Sequence, residues 1–152
     1  MKKAVFFLLS MLVIVVGFSA CNPSDNKLII TPPVSTMTAV VNGVGWAATS
    51  ANGTKSKTST GIPTLSITGT QLVGNYLESI NIKINNYQGT YSYNIADTSG
   101  SIASFSSSGL TYNAISGQVH VSTDSVGLIR GDFSFNTGAY NLAQGYFQCT
   151  AY

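Results

Sequence analysis

Three short segments near the C-terminus constrain the fold more than any other feature of this chain. Gly117-Gln-Val119-His-Val121-Ser, Gly131-Asp-Phe133-Ser-Phe135-Asn and Gly145-Tyr-Phe147-Gln-Cys149-Thr each set a glycine before a run whose second and fourth following residues are apolar or aromatic. Their glycines stand at an even spacing of 14 residues, and Gly89-Thr-Tyr91-Ser-Tyr93-Asn has the same form upstream. Alternation at period two puts successive side chains on opposite faces of a strand. A repeat of that length is one strand plus its turn, so these segments read as successive antiparallel strands, each glycine marking a bulge or bend. On this reading Tyr91, Tyr93, Phe133, Phe135, Phe147 and Cys149 point into a core, while His120 and Asp132 point away from it.

The pattern extends upstream. Leu65-Ser66-Ile67 and Ile80-Asn81-Ile82-Lys83-Ile84 alternate in the same way. Val40-Val41-Asn42-Gly43-Val44-Gly45-Trp46 places an Asn-Gly pair between apolar segments, the strongest short-range hairpin signal, because both turn residues take positive φ. Nothing after the N-terminal leader shows helical periodicity. The expected fold is therefore all-β: a single antiparallel β-sandwich or flattened β-barrel of about eight to ten short strands over residues 36–152.

The N-terminus explains where such a domain would sit. Lys2 and Lys3 form a basic region, Ala4 to Val16 an apolar one, and Phe18-Ser19-Ala20-Cys21 a small-residue cleavage site closed by a thiol. This resembles a bacterial lipoprotein signal, with Phe18 where Leu is usual, and implies lipidation of Cys21 after removal of residues 1–20. The apolar run is short against the roughly 20 residues a spanning helix needs, which argues against an uncleaved membrane span. An ordinary cleaved secretory signal is the other alternative. Two or three acyl chains make a durable anchor where one does not. Residues 21–35, with Pro23, Pro32 and Pro33, read as an extended tether to the outer membrane of the cell envelope, with Leu28-Ile29-Ile30 an apolar interruption.

Charge then excludes several functions. The chain has seven Lys and Arg against five Asp and Glu, and loss of Lys2 and Lys3 with the leader leaves five against five. A neutral domain offers no counterion-release drive toward nucleic acid and no polybasic patch for anionic lipid. With Cys21 lipidated, Cys149 has no thiol to pair with and serves as a small core group.

The combination of Met37-Thr-Ala-Val-Val-Asn-Gly-Val-Gly-Trp46, Gly89-Thr-Tyr91, the Gly117 strand, Gly131-Asp-Phe133-Ser-Phe135 and Gly145-Tyr-Phe147 resembles a family of short Bacteroidota lipoproteins whose all-β domain has no assigned function. The likeness covers residues 36–152, with Gly131-Asp132-Phe133 where members often have Gly-Thr-Phe. It implies a fold and an address, and carries over no catalytic residue.

Candidate chemistry is sparse. His120 lacks a second His or an exposed Cys to complete a metal site. Glu78, Asp97, Asp124 and Asp132 are the domain's carboxylates, whereas a glycosidase needs two facing each other across a cleft. No phosphate loop, nucleophile elbow, paired-Cys motif or dinucleotide fingerprint occurs, so neither a cofactor nor a metal is expected. Asp124-Ser125-Val126 resembles a short O-glycosylation acceptor, which would place a glycan on Ser125 at a turn. Trp46, Tyr87, Tyr140 and Tyr146 are the aromatics available for ligand contact, with burial the simpler role for Trp46. The expected function is a non-catalytic envelope lipoprotein that binds a ligand or partner or supports an envelope assembly. A glycan-binding module and a small hydrolase are the alternatives.

Overall fold

Tight turns with positive φ cut the chain into short antiparallel strands. The computed structural model describes residues 34–96 and 100–151. Cys21, Leu28 to Ile30, Asp97 and Tyr152 lie outside those residues. Asn42-Gly43 and Ser108-Gly109 take positive φ at both positions, the geometry whose twist matches the strands it joins. The first turn links β1 (Thr36–Val41) to β2 (Val44–Ala47) and the second links β7 (Ile102–Ser107) to β8 (Leu110–Asn113). Gly74, also at positive φ, opens the turn between β4 (Pro63–Val73) and β5 (Tyr76–Asn85). The remaining strands are β3 (Ser50–Lys57), β6 (Ser92–Ile95), β9 (Ser116–Ser125), β10 (Leu128–Asn136) and β11 (Asn141–Cys149).

The strands form two packed antiparallel sheets. The first has the order β2-β1-β11-β10-β9-β6 and the second β3-β4-β5-β7-β8. Both sheets keep open edges, so the molecule is a sandwich and not a barrel. There are eleven strands among the described residues, more than the eight to ten expected. The strands with least signal in the sequence are β3, a polar edge strand in which only Ala51 is buried, and β8, which has four residues, none of them buried.

The core follows the alternation. Leu65, Ile67, Ile80, Ile82 and Ile84 of the second sheet are buried together with Met37, Val119, Ile129, Phe133, Leu142 and Phe147 of the first. Each such side chain contributes about 1.5–3 kcal/mol relative to exposure. Cys149 is fully buried, as its parity with Phe147 requires. Tyr91 breaks the expectation: it is 60% exposed, because it precedes β6 and lies outside the alternating strand that buries Tyr93.

Glycine has a different role from the one its position suggests. Gly131 and Gly145 lie inside β10 and β11 rather than leading them, and each pairs across the strands with a phenylalanine, Gly131 with Phe147 and Gly145 with Phe133. A Cβ on Gly131 would stand 2.1 Å from the His120 carbonyl oxygen and 2.5 Å from the Phe147 ring, and one on Gly145 would stand 2.6 Å from the Phe133 ring. The rings therefore occupy the space a side chain would need. Between the sheets, Gly69 makes the same room for Met37 and Trp46, and Gly53 for Cys149. Bulges accompany the glycines, one between Arg130 and Gly131 against β9, another between Phe133 and Phe135 against β11.

Replacing Gly131 with Ala is expected to destabilise the fold by about 1–3 kcal/mol, as overpacking does. Gly45→Ala, where nothing lies within 4 Å of the added carbon, should change it by about 0.5 kcal/mol or less. Denaturant midpoints of the two purified variants check the contrast.

Candidate functional site

The bulge in β11 shapes the outer face of the first sheet. Leu142, Gly145, Phe147 and Cys149 are all buried, so the odd interval between Leu142 and Gly145 shifts the parity of the strand. Gln144 absorbs the irregularity with a φ of 49°, and a bulge of this kind bends the strand and re-aims its side chains. The result is a depression of about 410 Å³ lined by Gln118, His120, Asp132, Ser134, Gln144 and Tyr146, over Phe133 and Gly145.

Register brings these groups together. Tyr146 stands opposite Asp132, Asp132 opposite His120, and Ser134 opposite Gln118. Directly opposed residues have Cβ atoms about 4.5–5.5 Å apart, so Tyr146, Asp132 and His120 form one row across three strands. His120 and Asp132 are both exposed, and no ion pair or hydrogen bond joins them. Next to the row, Arg130 Nε donates to Gln148 Oε1 at 2.7 Å and the Tyr146 hydroxyl donates to the same oxygen at 3.4 Å. Gln148 Nε2 donates in turn to the carbonyl of Val34, two residues before β1, at 2.9 Å, so one end of the row is held by the segment that leads into β1.

The four expected contact aromatics do not share a groove. Trp46 is 3% exposed and Tyr87 is 8% exposed, which removes both as open stacking platforms. Tyr140 is half-buried and packs edge-on against Phe105 and Tyr112, with ring centroids 4.8 and 4.9 Å away. Only Tyr146 lines the depression. The carboxylates also separate: Glu78 lies in a cleft at one end of the sandwich, Asp124 pairs with Lys55 at the other, and Asp132 sits on the sheet face. Among the described residues no group of three or more His, Cys, Asp and Glu is placed to hold a metal ion.

Lys55 and Asp124 form the one ion pair among the described residues, at 2.5 Å, and join β3 of one sheet to β9 of the other. Beside them Tyr87 lies under the Lys55 ammonium, 5.9 Å from ring centroid to nitrogen. Burial, then the Asp124 carboxylate, pushes the Tyr87 hydroxyl above its ordinary value, and no hydrogen bond of acceptable geometry satisfies it. Tyr93 stacks near it at 5.9 Å, donates to the Gly89 carbonyl and accepts from Gln88 N–H. Ser125 follows Asp124 at the end of β9, exposed beside the Val126-Gly127 turn and not within the turn itself.

Comparison with known proteins places this arrangement in a family. Residues 34–150 match the model of the family described as Domain of unknown function (DUF6252), and the chain belongs to that family. No curated protein and no solved structure matches the chain. The depression was only partly legible beforehand: His120, Asp132 and Tyr146 stood out, but Gln118, Ser134 and Gln144 did not. Their signal was the broken alternation at Leu142-Ala-Gln-Gly145.

Burial pushes the Cys149 thiol up from 9.0 to about 11. An unfolded chain ionises that thiol first, so stability is full below pH 9, falls as the pH rises toward 11, and falls further as buried Tyr87 and Tyr93 resist ionisation. Cys149→Ala should flatten the first part of this decline in denaturation measured from pH 8 to 11.

Proposed function

We propose that the chain is a non-catalytic binding domain of an envelope lipoprotein, anchored through Cys21 and presenting the outer face of the first sheet to a hydroxyl-rich ligand such as a glycan. One observation supports this most: six polar side chains from three strands converge on the depression at Gln144, most of them planar hydrogen-bonding groups of the kind that meets hydroxyls. Tyr146 supplies one ring edge, and Gln148 holds its hydroxyl. Most of the recognition is thus polar, with no aromatic platform.

The His120–Asp132 row favours a second reading, a small hydrolase using histidine and carboxylate as base and orienting group. Both residues lie on an open sheet face, whereas acid–base catalysis gains most where water is excluded and charges are desolvated. The binding reading is therefore preferred. The lipoprotein signal, the near-neutral charge of the domain and the tether with its prolines support an envelope location.

Three experiments test this. Calorimetric titration with a panel of envelope and host oligosaccharides should show saturable binding, weakened roughly 10-fold or more by Asp132→Asn or Tyr146→Ala as hydrogen bonds are lost. Hydrolysis of ester, peptide or glycoside substrates that disappears in His120→Ala would overturn it. Cys21→Ala should leave the protein in the soluble fraction or unprocessed, and normal processing with retention in membranes would contradict the anchor.

A further inference from the structure

A second site lies at the end of the sandwich where the hairpin turns gather. Alternation carries the inner face of β4 and β5 past the core: Gly69 and Ile80 are buried, and two residues beyond them the same parity reaches Gln71 and Glu78, which stand opposite each other. A carboxylate on an inward-facing position breaks the rule that the rest of the strand follows. Glu78 accepts a hydrogen bond from Gln71 Nε2 on one oxygen and from Ser107 Oγ on the other, both at 2.9 Å. Gln71 is itself fixed, accepting from the Ala47 N–H of β2 in the opposite sheet at 3.4 Å. No Lys or Arg among the described residues pairs with Glu78. Two neutral donors therefore hold a charge in place without cancelling it.

The surroundings are apolar. Glu78 opens on a cleft of about 410 Å³ whose walls include Trp46, Phe105, Tyr140, Val41 and Val44. The Trp46 Nε1–H in this wall is buried and has no acceptor among the described residues, a deficit of about 1–3 kcal/mol. Val44 in this wall is 70% exposed, and Tyr76 and Leu110, which stand opposite the wall residues Val73 and Ser107, are each exposed by 60% or more. This end is remote from Val34: β1 pairs with β11 from Thr36 opposite Gln148 to Val41 opposite Leu142, and the cleft begins at Val41.

The geometry points to a docking site for a partner protein that inserts one arginine or lysine side chain between the sheets. The cation meets Glu78, its aliphatic stem lies along Trp46 and Tyr140, and the flanking apolar residues of the partner cover the hairpin collar. A free amine would leave that collar in water, which selects a protein segment as the occupant. A carbonyl of that segment also offers Trp46 an acceptor. This site is independent of the sheet-face reading, since the two share no residue.

Acetyl-Leu-Arg-Leu-amide titrated into the purified full chain tests it by calorimetry. Saturable binding is expected, weaker by roughly 10-fold or more with the citrulline peptide or in Glu78→Gln, because a charge-assisted hydrogen bond is lost. Val44→Ser, at an exposed position of the cleft wall, should also weaken it, and free agmatine should bind less tightly than the peptide. Oligosaccharide binding should persist in Glu78→Gln, which separates failure here from failure of the sheet-face proposal. Equal affinity for the citrulline peptide, unchanged affinity in Glu78→Gln and Val44→Ser, agmatine binding as tightly as the peptide, or no saturable binding would each overturn the proposal.

Discussion

Phenylalanine rings lying across glycines on the neighbouring strand are the contact on which the rest of this structure depends. Phe147 covers Gly131 and Phe133 covers Gly145, so two of the largest side chains of the first sheet lie down along it instead of standing off it. That leaves the inter-sheet space for the aliphatic residues of β4 and β5, which a close-packed interior must fill. The second sheet answers in kind, with Gly53 and Gly69 accepting Cys149, Met37 and Trp46. Where ring and glycine meet, the strand is also bulged, and the bulge at Gln144 opens the depression on the outer face. Core packing and candidate binding surface are thus two sides of one local device.

Period-two alternation made the class of fold legible, since Ile80, Ile82 and Ile84 against Asn81 and Lys83 admit few other structures. The Asn42-Gly43 turn was equally plain. Less legible was everything that depends on neighbours distant in sequence. The polar strand Ser50–Lys57 pairs in its sheet only with β4, the tight turn at Ser108-Gly109 has an uncommon first residue, and Gly131 and Gly145 read as strand leaders until their cross-strand partners are known. Of the candidate contacts, Tyr146 and the His120–Asp132 pair are brought together by register, while Trp46 and Tyr87 are claimed by the core. Tyr91 and Tyr93, two residues apart, likewise reached opposite fates because strand position, not residue type, decides exposure.

Charge is used sparingly and in separate places. At one end the Lys55–Asp124 pair joins the two sheets close to where β1 begins and β11 finishes; at the other, Glu78 is held by neutral donors in an apolar cleft. Between them Asp132 and His120 face water across the middle of the first sheet. In the proposed reading the sheet face meets the ligand and the Glu78 cleft meets a partner. A half-buried pair and an unneutralised carboxylate suit different tasks, since the first couples elements and the second leaves charge available for recognition.

The packing of ring on glycine has a direct spectroscopic signature. An α-proton held against an aromatic face is shielded, so the proton of Gly145 that points toward Phe133 should resonate well upfield of other glycine α-protons in a proton–carbon NMR correlation spectrum. The shift should disappear in Phe133→Leu. An ordinary glycine shift at Gly145 in the folded protein would contradict the arrangement and, with it, the account of how the sheet face is shaped.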